Sequence, residues 1–171
     1  MTKSVEPYNA LALQVTCHAV NGLSSRQDVS QRMAKTIANI ADQIRGSKGF
    51  ISSFSGLNTR LVVLPEYFLT GFPMGESVEV WSEKACIEME GPEYLALGKI
   101  CQDNDIFLSG NVYELDPNFP GIYFQVSFII DPSGEVILRY RRLISMYAPT
   151  PHDVLERYIE VYGEESLFPV V

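Results

Sequence analysis

At 171 residues the chain is long enough for one domain with a sizeable hydrophobic core and too short for two large ones. Hydrophobic residues make up 46% of it and charged residues 20%, which excludes a disordered tail. Thirteen Lys and Arg against twenty-one Asp and Glu leave a formal charge of −8, so a phosphate backbone is repelled and nucleic acid is not an expected partner.

The opening MTKSVEPYNALALQVTCHAV has one early lysine, an acid at Glu6 and a short apolar run broken by Gln14 and Thr16. It reads as a first strand, Ala10 to Cys17, and not as an export signal. No uncharged apolar run is long enough to cross a bilayer, so no membrane partner is expected. From Ser24 to Arg45, Val29, Met33, Ile37, Ile40 and Ile44 recur at spacings of three and four, the helical period. A polar connection, GSKGFISSFSGLNTR, leads to LVVL, an apolar run without alternation that suits a strand covered on both faces. The opening is therefore a βαβ unit.

A loop rich in Gly, Pro and Glu follows, and helical spacing returns over residues 92–104 with Leu95, Leu97, Ile100 and Cys101. IFLSGNVYEL, IYFQVSFIID and EVILRYRRL carry strand signals, the last two joined by DPSG at 131–134, a turn that makes them a hairpin. PTPHDVLERYIEVYG predicts a helix, with Asp153 near its start and Gly163 at its end, and SLFPVV reads as a further strand. The order β, α, β, α, β, β, β, α argues for an α/β layered fold.

Two places carry chemistry. Glu66 follows LVVL and Pro65, at the carboxyl end of a strand, where open α/β layers put functional groups. Pro65 fixes the exit angle. Tyr67, Phe68 and Phe72 are expected to desolvate the carboxylate and raise its pKa, as a general base near neutrality requires. A strand-terminal Glu that bonds a nearby backbone or an arginine remains the alternative on pattern alone. RYRRL, residues 139–143, clusters three arginines; alternation puts Tyr140 and Arg142 on one face and Arg139 and Arg141 on the other, so one arginine can meet Glu66. A solvated basic strand end is the other reading.

The three cysteines form no CxxC pair, which argues against a disulfide framework or a zinc site and for a reducing, cytoplasmic compartment. Cys17 and Cys101 fall on apolar stripes and Cys86 in the loop-like WSEKACIEMEG, so all three read as buried structural thiols. His18 and His152 are too isolated for a metal site.

These motifs resemble those of the nitrilase superfamily, the carbon-nitrogen hydrolases. LVVLPEYFLTGF is similar to the motif in which an apolar strand delivers a catalytic glutamate, here Glu66. GEVILRYRRL is similar to the motif that ends in a catalytic lysine, whose position is held by Arg142. The resemblance implies an αββα sandwich in which a cysteine thiolate, activated by the glutamate as general base, attacks a nitrile or amide carbon while the lysine stabilises the developing charge. It implies no metal or organic cofactor. Tyr67, Phe68, Phe72 and Tyr147 are the expected lining of a small, mostly apolar pocket.

Two departures follow from the same resemblance. Arginine is bulkier and planar where the family has a compact ammonium. No cysteine matches the nucleophile segment, which in the family lies downstream of the second motif. Residues 1–171 are thus expected to form the N-terminal portion of an incomplete sandwich, truncated before the nucleophile and inactive alone. A complementing C-terminal polypeptide is one expected partner, and a homo-oligomer formed through helices such as Asp153 to Tyr162 is another. A non-catalytic binding or assembly subunit, or a degenerate fragment, is the competing reading.

Overall fold

The structure is a computed structural model that describes residues 5–171. Its strands are β1 (Asn9–Ala12), β2 (Thr59–Val63), β3 (Ile87–Glu88), β4 (Phe107–Leu115), β5 (Tyr123–Ile130) and β6 (Val136–Arg141). Its helices are α1 (Arg26–Ser55), α2 (Val78–Ala85), α3 (Pro92–Asn104) and α4 (Leu155–Tyr162).

One mixed sheet runs β1-β2-β4-β5-β6, with β3 pairing beside β2 on the same edge of β4. The first part is parallel, as a helical crossover demands, and β4, β5 and β6 are antiparallel. On β4, β2 takes Phe107 to Ser109 and β3 takes only Glu114 and Leu115. The edge between them is where β2 has already left the sheet.

The helical stripe of α1 is as expected: Val29, Met33, Ile37, Ile40 and Ile44 are buried. Ser25 caps its start by accepting from Asp28 N at 3.1 Å, and Gly56 ends it at φ 71°. The helix continues ten residues past Arg45, through GSKGFISSFS, where a polar connection was expected. No proline interrupts that stretch, and Lys48 is tied to the Asn104 carbonyl at the end of α3. Its outward side carries Phe50 and Phe54, stacked at 6.5 Å and exposed.

α2 also differs from expectation. Ser77 caps it and Trp81 and Ala85 are buried one turn apart. Eight residues offer too few repeats for a periodicity to stand out. In α3 the buried stripe is Tyr94, Leu97, Ile100 and Cys101, while Leu95 faces water. SLFPVV is not a strand: Glu164–Leu167 forms a 3-10 turn and Phe168 and Val170 are exposed. β1 stops at Ala12 and does not reach Cys17.

The DPSG turn closes the hairpin as expected, with Gly134 N on Asp131 O at 2.9 Å. β6 then carries a bulge: Ile130 faces Val136 but Ile129 faces Leu138, so Ile137 is the extra residue. Beyond it Ser127 faces Tyr140 and Val126 faces Arg141.

The helix side of the sheet buries Val62, Leu108, Val112, Val126, Phe128 and Ile130. The other side presents half-exposed Leu61, Phe107 and Ile129 and exposed Val63 and Ile137. There a groove of about 810 Å³ is lined by Tyr8, Leu57, Leu61, Phe107, Ile129 and Ile137.

Candidate functional site

β2 makes its last sheet bond at Leu64, whose N–H meets Ser109 O at 2.9 Å. Pro65 has no N–H to offer β4, and the chain turns out at Glu66. Tyr67 follows at φ 58°, a left-handed conformation that costs a non-glycine residue about 1–3 kcal/mol and must be held by its surroundings. Its carbonyl accepts from Gly71 N at 3.0 Å and from Cys17 Sγ at 3.1 Å. The turn is also tied to the preceding segment through Val20 N to Thr70 O and Asn21 Nδ2 to Phe72 O.

Around Glu66 a polar cluster forms. Its Oε1 accepts from Gln125 Nε2 at 2.8 Å and lies 3.5 Å from Arg142 Nη1. Arg142 Nη1 donates in turn to Gln125 Oε1 at 3.0 Å, and its Nε donates to Ile144 O at 2.9 Å. Gln125 Nε2 also approaches Asn111 Oδ1 at 3.4 Å. The backbone fixes this meeting, because Arg142 N bonds Gln125 O at 2.9 Å across the β5–β6 ladder.

The aromatic residues sit otherwise than expected. Tyr67 stacks on Tyr113 at 5.6 Å, Phe72 meets Tyr67 edge-on at 5.7 Å, and Tyr147 meets Phe72 at 6.0 Å. They cover one another and leave the Glu66 side chain 56% exposed, so desolvation by these rings does not occur. Phe68 is fully buried in the core instead of standing beside Glu66; a Cβ on Gly110 would lie 3.1 Å from its ring. A cavity of about 180 Å³ is lined by Tyr67, Phe72, Tyr123, Gln125, Arg142 and Tyr147, among others. Glu66 reaches it only through Gln125 and Arg142. Burial pushes the Tyr123 hydroxyl up to about 12 and that of Tyr113 higher still, so both remain hydrogen-bond donors at neutral pH.

The other two arginines belong to the scaffold. Arg139 pairs with Glu114 at 3.2 Å and lies over Tyr94. Arg141 is 4% exposed, meets Asp116 Oδ2 at 2.5 Å, and is covered by Phe124 and by Tyr158 and Tyr162 of α4. Burial alone would raise the Asp116 carboxyl, but the Tyr162 hydroxyl, the Asn118 N–H and the Arg141 guanidinium together hold it below its ordinary value. Burial holds Glu114 above its ordinary value despite Tyr94 and both arginines. Tyr158 and Tyr162 thus face inward.

The thiols correct the sequence reading in part. Cys86 and Cys101 are buried, and burial pushes Cys101 up to about 12. Cys17 is exposed, lies against the Tyr67 carbonyl beside the site, and is raised chiefly by partial burial, which opposes thiolate formation. Among the described residues no group of three or more His, Cys, Asp or Glu is placed to hold a metal ion, and no helix is long and apolar enough to cross a membrane.

Residues 18–171 match the family described as carbon-nitrogen hydrolase. The chain belongs to the carbon-nitrogen hydrolase family. Formamidases of Bacillus thuringiensis (strain Al Hakam) and Bacillus cereus (strain AH820) are each 26% identical over 140 residues, covering 81% of this chain and 38% of theirs. The chain thus spans about two-fifths of the length of these curated relatives. An N-terminal amidase solved with a Gln-Val peptide aligns with TM-score 0.56 at 16% identity, over 87% of this chain and 29% of that one. A Saccharomyces cerevisiae member of branch 10 of the nitrilase superfamily aligns with TM-score 0.52 at 21% identity, over 66% and 40%. These likenesses carry the fold, which is α/β and nitrilase-like.

Sequence reasoning missed Gln125 and Asn111. The available signal was a polar residue inside the apolar strand IYFQVSFIID, on the face that alternation shares with Ser127.

Proposed function

We propose that Glu66 and Arg142 are the general base and the cationic stabiliser of a carbon-nitrogen hydrolase site acting on a small amide or nitrile. The reading rests on one observation: a glutamate and an arginine from separate motifs meet at 3.5 Å beside a small cavity at the carboxyl end of β2. The amidase relatives support the amide. In the reaction a cysteine thiol adds to the substrate carbon, Glu66 takes its proton and hands it to departing ammonia, and Arg142 faces the oxyanion. Water then attacks the acyl-enzyme, giving a proton to Glu66; the carbon–sulfur bond breaks, Glu66 returns that proton to the departing sulfur, and the acid is released.

Neither buried thiol can serve, and Cys17 is held as a donor to a carbonyl. The reading therefore takes the nucleophile from a segment outside residues 1–171 and expects these residues alone to be inactive. Unpaired thiols fit a cytoplasmic setting. A non-catalytic binding subunit is the second reading, favoured by the Arg142 guanidinium, whose Nε and Nη1 are both committed to protein carbonyls.

The test is ammonia release from formamide, acetamide, a glutaminyl dipeptide and acetonitrile. The purified chain is expected to release none. Hydrolysis that persists in Glu66→Gln with all three cysteines changed to serine would refute the assignment.

A further inference from the structure

The side chain of Gln125 is a primary carboxamide, 3% exposed, and both its ends are engaged by the two residues assigned above. Its Nε2 donates to Glu66 Oε1 at 2.8 Å and its Oε1 accepts from Arg142 Nη1 at 3.0 Å. A carboxylate acceptor beside a guanidinium donor is complementary to a group that presents a donor and an acceptor side by side, and the carboxamide of Gln125, with its N–H and C=O, is such a group. A nitrile offers no donor. A carboxylate offers no donor and is repelled by Glu66.

We propose that Glu66 and Arg142 form a clamp for a primary carboxamide, and that Gln125 occupies it in the ligand-free chain as an internal surrogate which an incoming amide displaces. This deepens the proposed function by choosing amides over nitriles. The clamp is stiff on both sides. Arg142 is pinned through Nε to Ile144 O, so its remaining edge points at the amide oxygen. Glu66 is set by the left-handed turn at Tyr67. Gln125 is held by its backbone, since its carbonyl takes the Arg142 N–H and its neighbours pair along β5, so displacement is a change of side-chain rotamer that gives up its bonds to Glu66 and Arg142. The adjoining cavity of about 180 Å³, walled by Tyr67, Phe72 and Tyr147, takes the small remainder of the ligand. An occupant of the clamp lowers apparent affinity by the fraction of chains in which it is bound.

The test is a nitrogen-15 NMR titration of the whole chain, following the Gln125 side-chain amide and the Arg142 Nε–H. Propionamide, propionitrile and propionate are the probes. Propionamide is expected to shift both signals saturably and the other two to leave them in place. In Gln125→Ala, propionamide affinity is expected to rise about tenfold as the competitor is removed. Gln125→Leu, which keeps the volume filled, is expected to show no gain. Saturation of the Arg142 signal with an unmoved Gln125 signal overturns the surrogate, and this readout does not depend on any variant folding. Equal affinity in wild type and Gln125→Ala, abolished by Glu66→Gln, overturns the surrogate while leaving the amide site standing. Absence of amide binding in every folded variant removes both.

Discussion

Replacing Arg141 by methionine tests the separation between scaffold and site. The guanidinium is 4% exposed and the Asp116 side chain fully buried, with 2.5 Å between them. Methionine preserves much of the packing against Phe124 and Tyr162 but strands a carboxylate away from water. Removing one partner of a buried pair costs about 3–5 kcal/mol. Asp116 keeps the Tyr162 hydroxyl at 2.5 Å and the Asn118 N–H at 2.8 Å, which places Arg141→Met at the lower end, about 3 kcal/mol. That corresponds to a fall in Tm of roughly 6–12 °C for a chain of this size. The sign with pH is fixed as well. A carboxyl held below its ordinary value contributes stability present above its unfolded pKa and lost as pH falls through the folded one. Without Arg141 the Asp116 pKa rises, so acid unfolding of the variant begins at higher pH. Urea titrations followed by Trp81 fluorescence, from neutral pH into acid, measure both effects. Arg157→Ala, which breaks an exposed pair with Glu160, is the control and is expected to cost under about 0.5 kcal/mol. A loss below about 1 kcal/mol for Arg141→Met, or an unchanged acid limb, would refute the reasoning.

Gly110→Ala is expected to destabilise the chain by about 1–3 kcal/mol, because the new Cβ would lie 2.6 Å from the Phe128 ring and 3.1 Å from that of Phe68, both fully buried. A denaturant midpoint at or above wild type would contradict it. With a disulfide thiol reagent at pH 8, one thiol is expected to react in the native chain and two more only after unfolding, with Cys17→Ser removing the native reaction. Fast native reaction of Cys101, whose thiol is pushed up to about 12, would show that α3 opens readily.

Long elements with a clear period were legible: the buried stripe of α1, the hairpin through DPSG, and the strand that delivers Glu66. The split of the arginines was legible too, since alternation alone placed Arg142 opposite Arg139 and Arg141. What failed was short or tertiary. The eight residues of α2 hold one buried i, i+4 pair, too little to count as periodic. SLFPVV has strand composition, but a strand needs a neighbour, and among the described residues none pairs with it. Aromatic residues next to Glu66 in sequence suggested desolvation, yet the left-handed turn at Tyr67 sends Phe68 into the core and lets the other rings stack among themselves. Gln125 is 59 positions from Glu66, and only the pairing of β4, β5 and β6 brings them together.

The bulge at Ile137 has a consequence for parity. Paired without it, Ile129 would face Ile137, and each later residue of β6 would step to the opposite side of the sheet. Arg142 would then fall across from Phe124, among the buried rings, while Arg141 would turn toward Glu66. One supernumerary residue thus acts as a sorting element. It decides which of two adjacent cations is buried against Asp116 and which lies beside Glu66 and Gln125, so a one-residue change in hairpin length threatens that cluster more than most substitutions within it.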